Sequence, residues 1–327
     1  MATPPTREYA INRPRPFRFT TSMPPLTRPA RRWRDEIRRI EELGFSSVSV
    51  SDHLTGGWAM DPLVAMTVAA EATSRLRVLS LVLCNDFRHP VALHRALANL
   101  DVFSGGRVEF GLGAGWLRDD HDAAGLRFDP AGVRIDRLAE SIGIILDLFG
   151  GKPVSRTGRY YRVTDLVGLP EPAQRPHPPL LVGGGGRRIL ELAGRTADIV
   201  GVNPRLAPGR DPLSAAAELS ADRLDEQLAW ARAAARGAGR DPATMEFQLR
   251  MFDVRVTHRG VEQRCTSSHA ALVPAEALAD SPVALRGDVE ECVDRLLALR
   301  DRFGINYLHL GSNLAAAAPI VDRLAGR

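Results

Sequence analysis

Short apolar runs alternate with longer amphipathic stretches from Phe17 to Leu310, and no other feature narrows the fold as much. A strand that is apolar on both faces needs cover on both sides. A helix between successive strands supplies that cover, so the alternation predicts a parallel sheet coated by helices. Strands are expected over 17–23, 47–51, 78–83, 108–114, 180–182, 198–202, 247–256 and 305–310. Helices are expected over 30–43, 61–73, 90–103, 130–148, 186–195, 220–235 and 288–302. The first helix carries Trp33, Ile37, Ile40 and Leu43 on one face, with Gly44 as its C-cap, and the last opens on the capping-box pair Asp288 and Glu291. About eight strand–helix units in 327 residues fit a closed (β/α)8 TIM barrel. Insertions are expected near Val154, as a hairpin to Arg162 with Gly158 at its tip, and after Val256, where 257–268 is polar and unassigned. An open doubly wound sheet fits less well, because its glycine fingerprint follows the first strand and the richest glycine run here lies past the middle.

With 44% hydrophobic and 25% charged residues the chain can bury a full core. No apolar stretch is long enough to span a bilayer, and the first 15 residues lack the apolar core of a signal peptide, so a cytoplasmic protein without membrane partners is expected. Cys84, Cys265 and Cys292 are odd in number and widely spaced, which suggests neither a disulfide framework nor a zinc site. The pI of about 9.3 arises largely in the first 34 residues, where eight arginines oppose Glu8 alone. Residues 1–16 therefore read as a basic, flexible leader and 17–327 as one barrel domain. Without aromatic interleaving or a helix-turn-helix pattern, no nucleic-acid partner is expected. Lys152, the only lysine, sits in a Gly-Gly-Lys-Pro turn and leaves little scope for Schiff-base chemistry.

One strand passes through Gly183, Gly184, Gly185 and Gly186 straight into a helix that begins Arg187-Arg188. Glycines let several backbone N–H groups converge on an anion at the positive end of the following helix, so this run reads as a phosphate cradle. A tight turn that binds nothing would need fewer glycines.

In a barrel, chemistry sits at the C-terminal ends of the strands. Asp52 and His53 end the second strand, where a carboxylate can orient an imidazole for proton transfer. The third strand turns abruptly polar at Asn85 and Asp86; His89 before Pro90 reads as an extended turn, and Cys84 as an inert thiol. Gly111, Gly113 and Gly115 strip one face of the fourth strand, so that a flat ring could lie there. Asp119, Asp120, His121 and Asp122 follow as a solvated acidic loop with no metal implied, since adjacent residues rarely converge on one ion.

Five segments together resemble the luciferase-like (bacterial luciferase) superfamily of flavin and deazaflavin enzymes, which are (β/α)8 barrels. They are Ser51 to His53, Asn85 to Pro90, Ser104 to Trp116, Gly158 to Tyr161, and Val182 to Arg188 with Ala193 to Asp198. The resemblance is most specific to the branch assigned to coenzyme F420. It implies an oxidoreductase that exchanges a hydride between reduced coenzyme F420 and a small-molecule or peptide substrate bearing an activated C=C, C=N or carbonyl group. The alternatives are an FMN-dependent monooxygenase and a flavin-binding protein without catalysis. The resemblance further implies a non-proline cis peptide within Leu81, Val82 and Leu83 behind the ring, with cofactor contacts from these residues, Asn85, Gly113 and Gly115. It places the cofactor phosphate on Gly183 to Gly186 with Arg187, and His53 with Asp52 at the reactive ring. Asp120 stands where many relatives carry a glutamate and becomes a proton donor or cofactor contact, provided burial beside Trp116 raises its pKa. Trp58 and Trp116 would wall the substrate pocket, and a homodimer is implied. Sugar-phosphate dehydrogenases of the superfamily carry a glutamate where Trp116 stands and a tryptophan four residues past the histidine, whereas Trp58 lies five past His53. Sugar-phosphate oxidation is therefore not expected.

Overall fold

A computed structural model describes residues 14–205, 217–267 and 275–327. Eight parallel strands close into a barrel in the order β1, β13, β9, β8, β7, β4, β3, β2. These strands are β1 (Arg18–Ser22), β2 (Ser47–Val50), β3 (Arg77–Cys84), β4 (Val108–Gly113), β7 (Leu180–Gly184), β8 (Ile199–Val202), β9 (Glu246–Arg250) and β13 (Ile305–His309). Helices α1 (Ala30–Glu42), α2 (Pro62–Ala72), α3 (Pro90–Phe103), α5 (Ala131–Phe149), α6 (Arg187–Thr196), α7 (Ala221–Gly237), α9 (Val289–Phe303) and α10 (Leu314–Leu324) surround them, with short α4 (Arg118–Ala123) and α8 (Ala275–Ala279) in addition.

Local sequence explains the element ends. Asp288 accepts from the Glu291 N–H at 2.9 Å while Glu291 accepts from the Asp288 N–H at 2.8 Å, which completes the expected capping box at the start of α9. Gly304, at φ 72°, ends that helix in the left-handed region glycine favours. On α1, Trp33, Ile37 and Ile40 are buried against the sheet. The main core lies between strands and helices, and a smaller cluster of Leu79, Leu181, Ile199 and Tyr307 fills the barrel lumen beneath Leu81 and Val82.

Below that cluster a polar layer closes the N-terminal end. Buried Glu109 of β4 accepts from Arg18 of β1, from Arg77 Nε of β3 at 2.6 Å and from the Tyr307 hydroxyl of β13 at 3.0 Å. Burial pushes the Glu109 carboxyl up in pKa, but Arg18 and Arg77 outweigh it and hold the group below its ordinary range.

Three expectations change. The apolar run 247–256 is two strands, because after β9 the chain leaves the barrel and starts β10 (Asp253–His258), which pairs with β11 (Val261–Thr266) and β12 (Ala284–Asp288) in a separate sheet. The acidic residues Asp119 to Asp122, expected in a loop, lie in α4, and α10 was not expected at all. The hairpin runs further than expected, as β5 (Pro153–Thr157) and β6 (Arg162–Val167). Most of the leader, residues 1–13, lies outside the described residues, as do residues 206–216. At Arg15 the chain is already tied to the barrel, its guanidinium donating to the carbonyls of Ala243 and Thr244 at 3.0 and 2.7 Å.

Candidate active site

A cavity of about 420 Å³ opens at the C-terminal mouth of the barrel. Of the residues assigned to a cofactor from sequence, Leu81, Val82, Leu83, Gly113, Gly115, Gly183, Gly184 and Gly185 line it. The Leu81–Val82 peptide is cis, within the predicted segment, and β3 shifts register against β4 between Ser80 and Leu83. The glycines on β4 do not present a bare face to a ring. A Cβ on Gly113 would stand 2.7 Å from Val82 Cγ2, and one on Gly183 would stand 3.3 Å from Val82 Cγ1. Their missing side chains make room for the displaced β3, and Val82 takes the space.

The glycine run joins β7 to α6 as expected. Gly186 is the N-cap and offers no side-chain hydrogen bond, so no side-chain cap competes for the first-turn N–H groups of α6. A Cβ on Gly185 would meet the Asn203 carbonyl at 2.2 Å, and one on Gly184 would meet Ile189 at 2.4 Å, so close packing also demands glycine there. Gly186 and Arg187 lie outside the cavity lining. Arg187 is turned along its own helix to Glu191 at 2.7 Å, and Arg188 pairs with Asp136. The basic side chain that does line this end is Arg205, which pairs with Glu218 at 2.6 Å.

His53 faces the cavity between two aromatic rings, its centroid 5.2 Å from Trp58 and 5.9 Å from Trp116. Both tryptophans are half exposed at the rim, where the sequence placed the substrate pocket. The imidazole Nδ1 is 2.8 Å from Asp120 Oδ2. Asp120 Oδ1 accepts from the N–H groups of Leu54 and Thr55 at 3.0 and 2.9 Å and from the Thr55 hydroxyl at 2.7 Å. Burial pushes the Asp120 carboxyl up, but the Thr55, His53 and Leu54 hydrogen bonds outweigh it and hold the group below its usual range. Asp120 is thus an ionised acceptor, the opposite of the expected proton donor. A carboxylate at Nδ1 fixes the neutral imidazole with its proton on Nδ1 and its lone pair on Nε2.

Asp52, expected to orient His53, serves another purpose. It accepts from the Cys84 N–H at 3.0 Å and from Arg88 at 2.5 and 3.3 Å, which ties the end of β2 to the end of β3. Asn85 does not reach the cavity lining; it begins a single 3-10 turn and its Nδ2 donates to the Tyr161 hydroxyl at 3.2 Å. Cys84 is buried, and its thiol is pushed up to about 12 by burial, as an inert group should be. His89 is extended, at φ −70° and ψ 135°, and caps α3. The acidic loop is only half solvated, because Asp120 and His121 are buried.

Gln248 and Arg250 also line the cavity, at inward positions i and i+2 of β9, and sequence reasoning passed them over. Two polar residues alternating at the end of an apolar strand were the available signal. Among the described residues, no group of three or more His, Cys, Asp or Glu side chains could hold a metal ion, and no helix is long and apolar enough to cross a membrane.

Comparison with known proteins bears on the family and the fold. The family model described as luciferase-like monooxygenase matches residues 15–306. An F420-dependent hydroxymycolic acid dehydrogenase of Mycobacterium tuberculosis is 34% identical over 220 residues, 65% of this chain and 56% of that protein. An F420-dependent glucose-6-phosphate dehydrogenase of Microbacterium testaceum is 36% identical over 164 residues, 48% of each. The chain thus spans about half the length of the curated relatives it matches. The structure of an F420-dependent secondary alcohol dehydrogenase in complex with an F420–acetone adduct superposes with a TM-score of 0.74 at 21% identity, covering 94% of this chain and 97% of that one, which establishes the shared fold.

Proposed function

The chain belongs to the luciferase-like monooxygenase family of flavin- and deazaflavin-dependent oxidoreductases, and on that premise we propose that it exchanges a hydride between coenzyme F420 and a small organic substrate carrying an activated C=C, C=N or carbonyl group. The observation that carries this reading is the His53–Asp120 pair, which faces a cavity walled by Leu81 to Leu83 and running to the glycine-lined start of α6. The residues fit a ring cofactor with a phosphate. Such a ring would have the displaced β3 segment as its wall, and its phosphate would find N–H donors at an uncapped helix start. The two relatives described above are both F420-dependent by name, which favours the deazaflavin, although an FMNH(2)-dependent dimethylsulfone monooxygenase of Pseudomonas putida also matches, at 28% identity over 162 residues.

Bound F420 supplies or accepts the hydride, and this chain's residues do the rest. Nε2 of His53 takes the substrate proton in the oxidising direction and returns it in the reducing one. Asp120 stabilises the imidazolium when it forms, as an ionised partner at Nδ1 can. Trp58 and Trp116 flank the histidine and limit water at the rim. Asp52, through Arg88 and the Cys84 N–H, holds the end of β3 in place as a positioning residue.

Titrating purified protein with each cofactor, followed by absorbance and fluorescence, tests the reading. Retention of F420 at micromolar concentration with FMN ignored is the expected result. The reverse result would replace hydride transfer with FMN-dependent oxygenation. A homodimer is part of the proposal and is checked by light scattering.

A further inference from the structure

Gln248 and Arg250 end the barrel strand β9 with their side chains on one face, and both line the cavity. The Nε2 of Gln248 and the Nε of Arg250 are buried without a hydrogen-bond partner. No carboxylate pairs with Arg250 among the described residues. Elsewhere at this mouth the arginines are held, Arg88 by Asp52 and Asp61, Arg205 by Glu218 and Arg137 by Asp86. Buried polar groups are nearly always satisfied, so two orphaned donors side by side on a cavity wall point to a ligand that completes them.

The surroundings define its chemistry. Arg250 also borders a side niche of about 30 Å³, beside Ser22 and His309 and sharing Ser51, Trp58 and Leu81 with the main cavity. That is room for one water-sized group. His309 accepts from the Gly311 N–H through Nδ1 at 3.1 Å, so its Nε2 carries the proton and donates to Ser22 Oγ at 3.1 Å. Burial, reinforced by the Arg250 charge, keeps His309 neutral. The Ser22 hydroxyl proton is then available as another donor beside the guanidinium. Donors predominate here and the niche admits one oxygen.

We propose that the substrate is a carboxylate, held by Arg250 and Gln248 on the β9 side of the cavity, away from the glycine-lined start of α6. This rests on the reading of the cavity as a substrate chamber. A charge-assisted pair with a guanidinium gives such a site its selectivity for an anion over a neutral isostere.

The test uses benzoate and its neutral counterpart benzamide as probes, with binding to the full chain followed by calorimetry in the presence and absence of F420. Wild-type protein is expected to bind benzoate at least tenfold more tightly than benzamide, and Arg250→Met to lose that preference while F420 affinity holds. Gln248→Leu should reduce the preference in part, whereas Gly186→Asp, at the start of α6 and outside the cavity lining, should leave it intact. Since Arg250→Met removes a partly buried charge with no carboxylate partner among the described residues, its melting temperature without ligand should equal or exceed that of wild type; a fall would assign Arg250 to the scaffold and overturn the proposal. A benzoate preference that is absent in wild type or survives in Arg250→Met also overturns it. So does a tenfold loss of F420 affinity in Arg250→Met, which would give the guanidinium to the cofactor. Failure of wild-type protein to bind F420 refutes the cofactor reading instead, and the probe preference measured without F420 then stands on its own.

Discussion

Asp120 divides its two oxygens between His53 and the backbone that follows it. Oδ2 lies 2.8 Å from the His53 Nδ1, and Oδ1 gathers three donors from Leu54 and Thr55. The carboxylate therefore fixes the ring's proton and the path of the loop that carries the ring. Asp120→Asn keeps the shape but can also donate to Nδ1, which moves the imidazole proton to Nε2. Turnover should fall by roughly 10²- to 10⁴-fold, the range for losing a positioned acid–base group, with cofactor affinity little changed. Single-turnover hydride transfer beside a cofactor titration makes the comparison, and full activity in the variant would remove Asp120 from the mechanism.

His53→Ala should lose activity by a similar factor while leaving the barrel folded, because the ring stands at the rim and not in the core. Circular dichroism and specific activity together decide. Lost folding with normal activity in the remaining soluble protein would make His53 a structural residue.

Cofactor phosphate binding is best probed at Gly186. A Cβ there would come no nearer than 3.8 Å to Arg205, and the backbone, at φ −87° and ψ 154°, suits any residue. Gly184→Val would instead drive into Ile189 and confuse packing with binding. Gly186→Asp supplies the missing N-cap, so thermal stability should hold or rise, by up to about 1 kcal/mol, while its carboxylate repels an anion from the same N–H groups. Cofactor affinity should drop tenfold or more, and an unchanged affinity would move the phosphate elsewhere.

Glu109 makes acid stability predictable. Its folded pKa lies below the unfolded value near 4.3, so its contribution is complete above about pH 4.3 and disappears as pH falls through the folded value. Glu109→Gln should flatten that limb of the stability curve. It should also cost about 1.5–3 kcal/mol at neutral pH, because Arg18 and Arg77 lose a charged partner while Arg18 keeps Glu246 and Arg77 keeps Gln174. Urea denaturation from pH 3 to 7 provides the measurement.

The barrel was legible because each of its strands is a short apolar run set off by a helix with one apolar face, as on α1, and because caps such as Asp288–Glu291 punctuate the helices. The run at 247–256 misled because the part of β10 inside it, Asp253 to Val256, is largely buried like β9, and hydrophobicity alone does not say which sheet a strand joins. Helix α10 was missed because alanines and Pro319 blur its periodicity. At the site, the place of His53 at the end of a strand was readable from the residues, whereas the cis peptide, present at Leu81–Val82, was expected only from the family resemblance. Which carboxylate serves His53 was not readable, since Asp52 is its sequence neighbour and Asp120 lies 67 positions away. Gln248 and Arg250 escaped notice because only the closed barrel reveals that their donors face a cavity with nothing to bind.

The polar layer of Arg18, Glu109 and Tyr307 and the apolar cluster above it shut the lower end of the barrel. The cavity is therefore a cul-de-sac. Among the described residues the cavity opens past Trp58 and Trp116, so under the proposed function a cofactor and a substrate would approach from the same end. In a chamber closed at its lower end, the deeper ligand would have to arrive first and leave last, so ordered binding in initial-rate kinetics is the expected outcome of the proposed function.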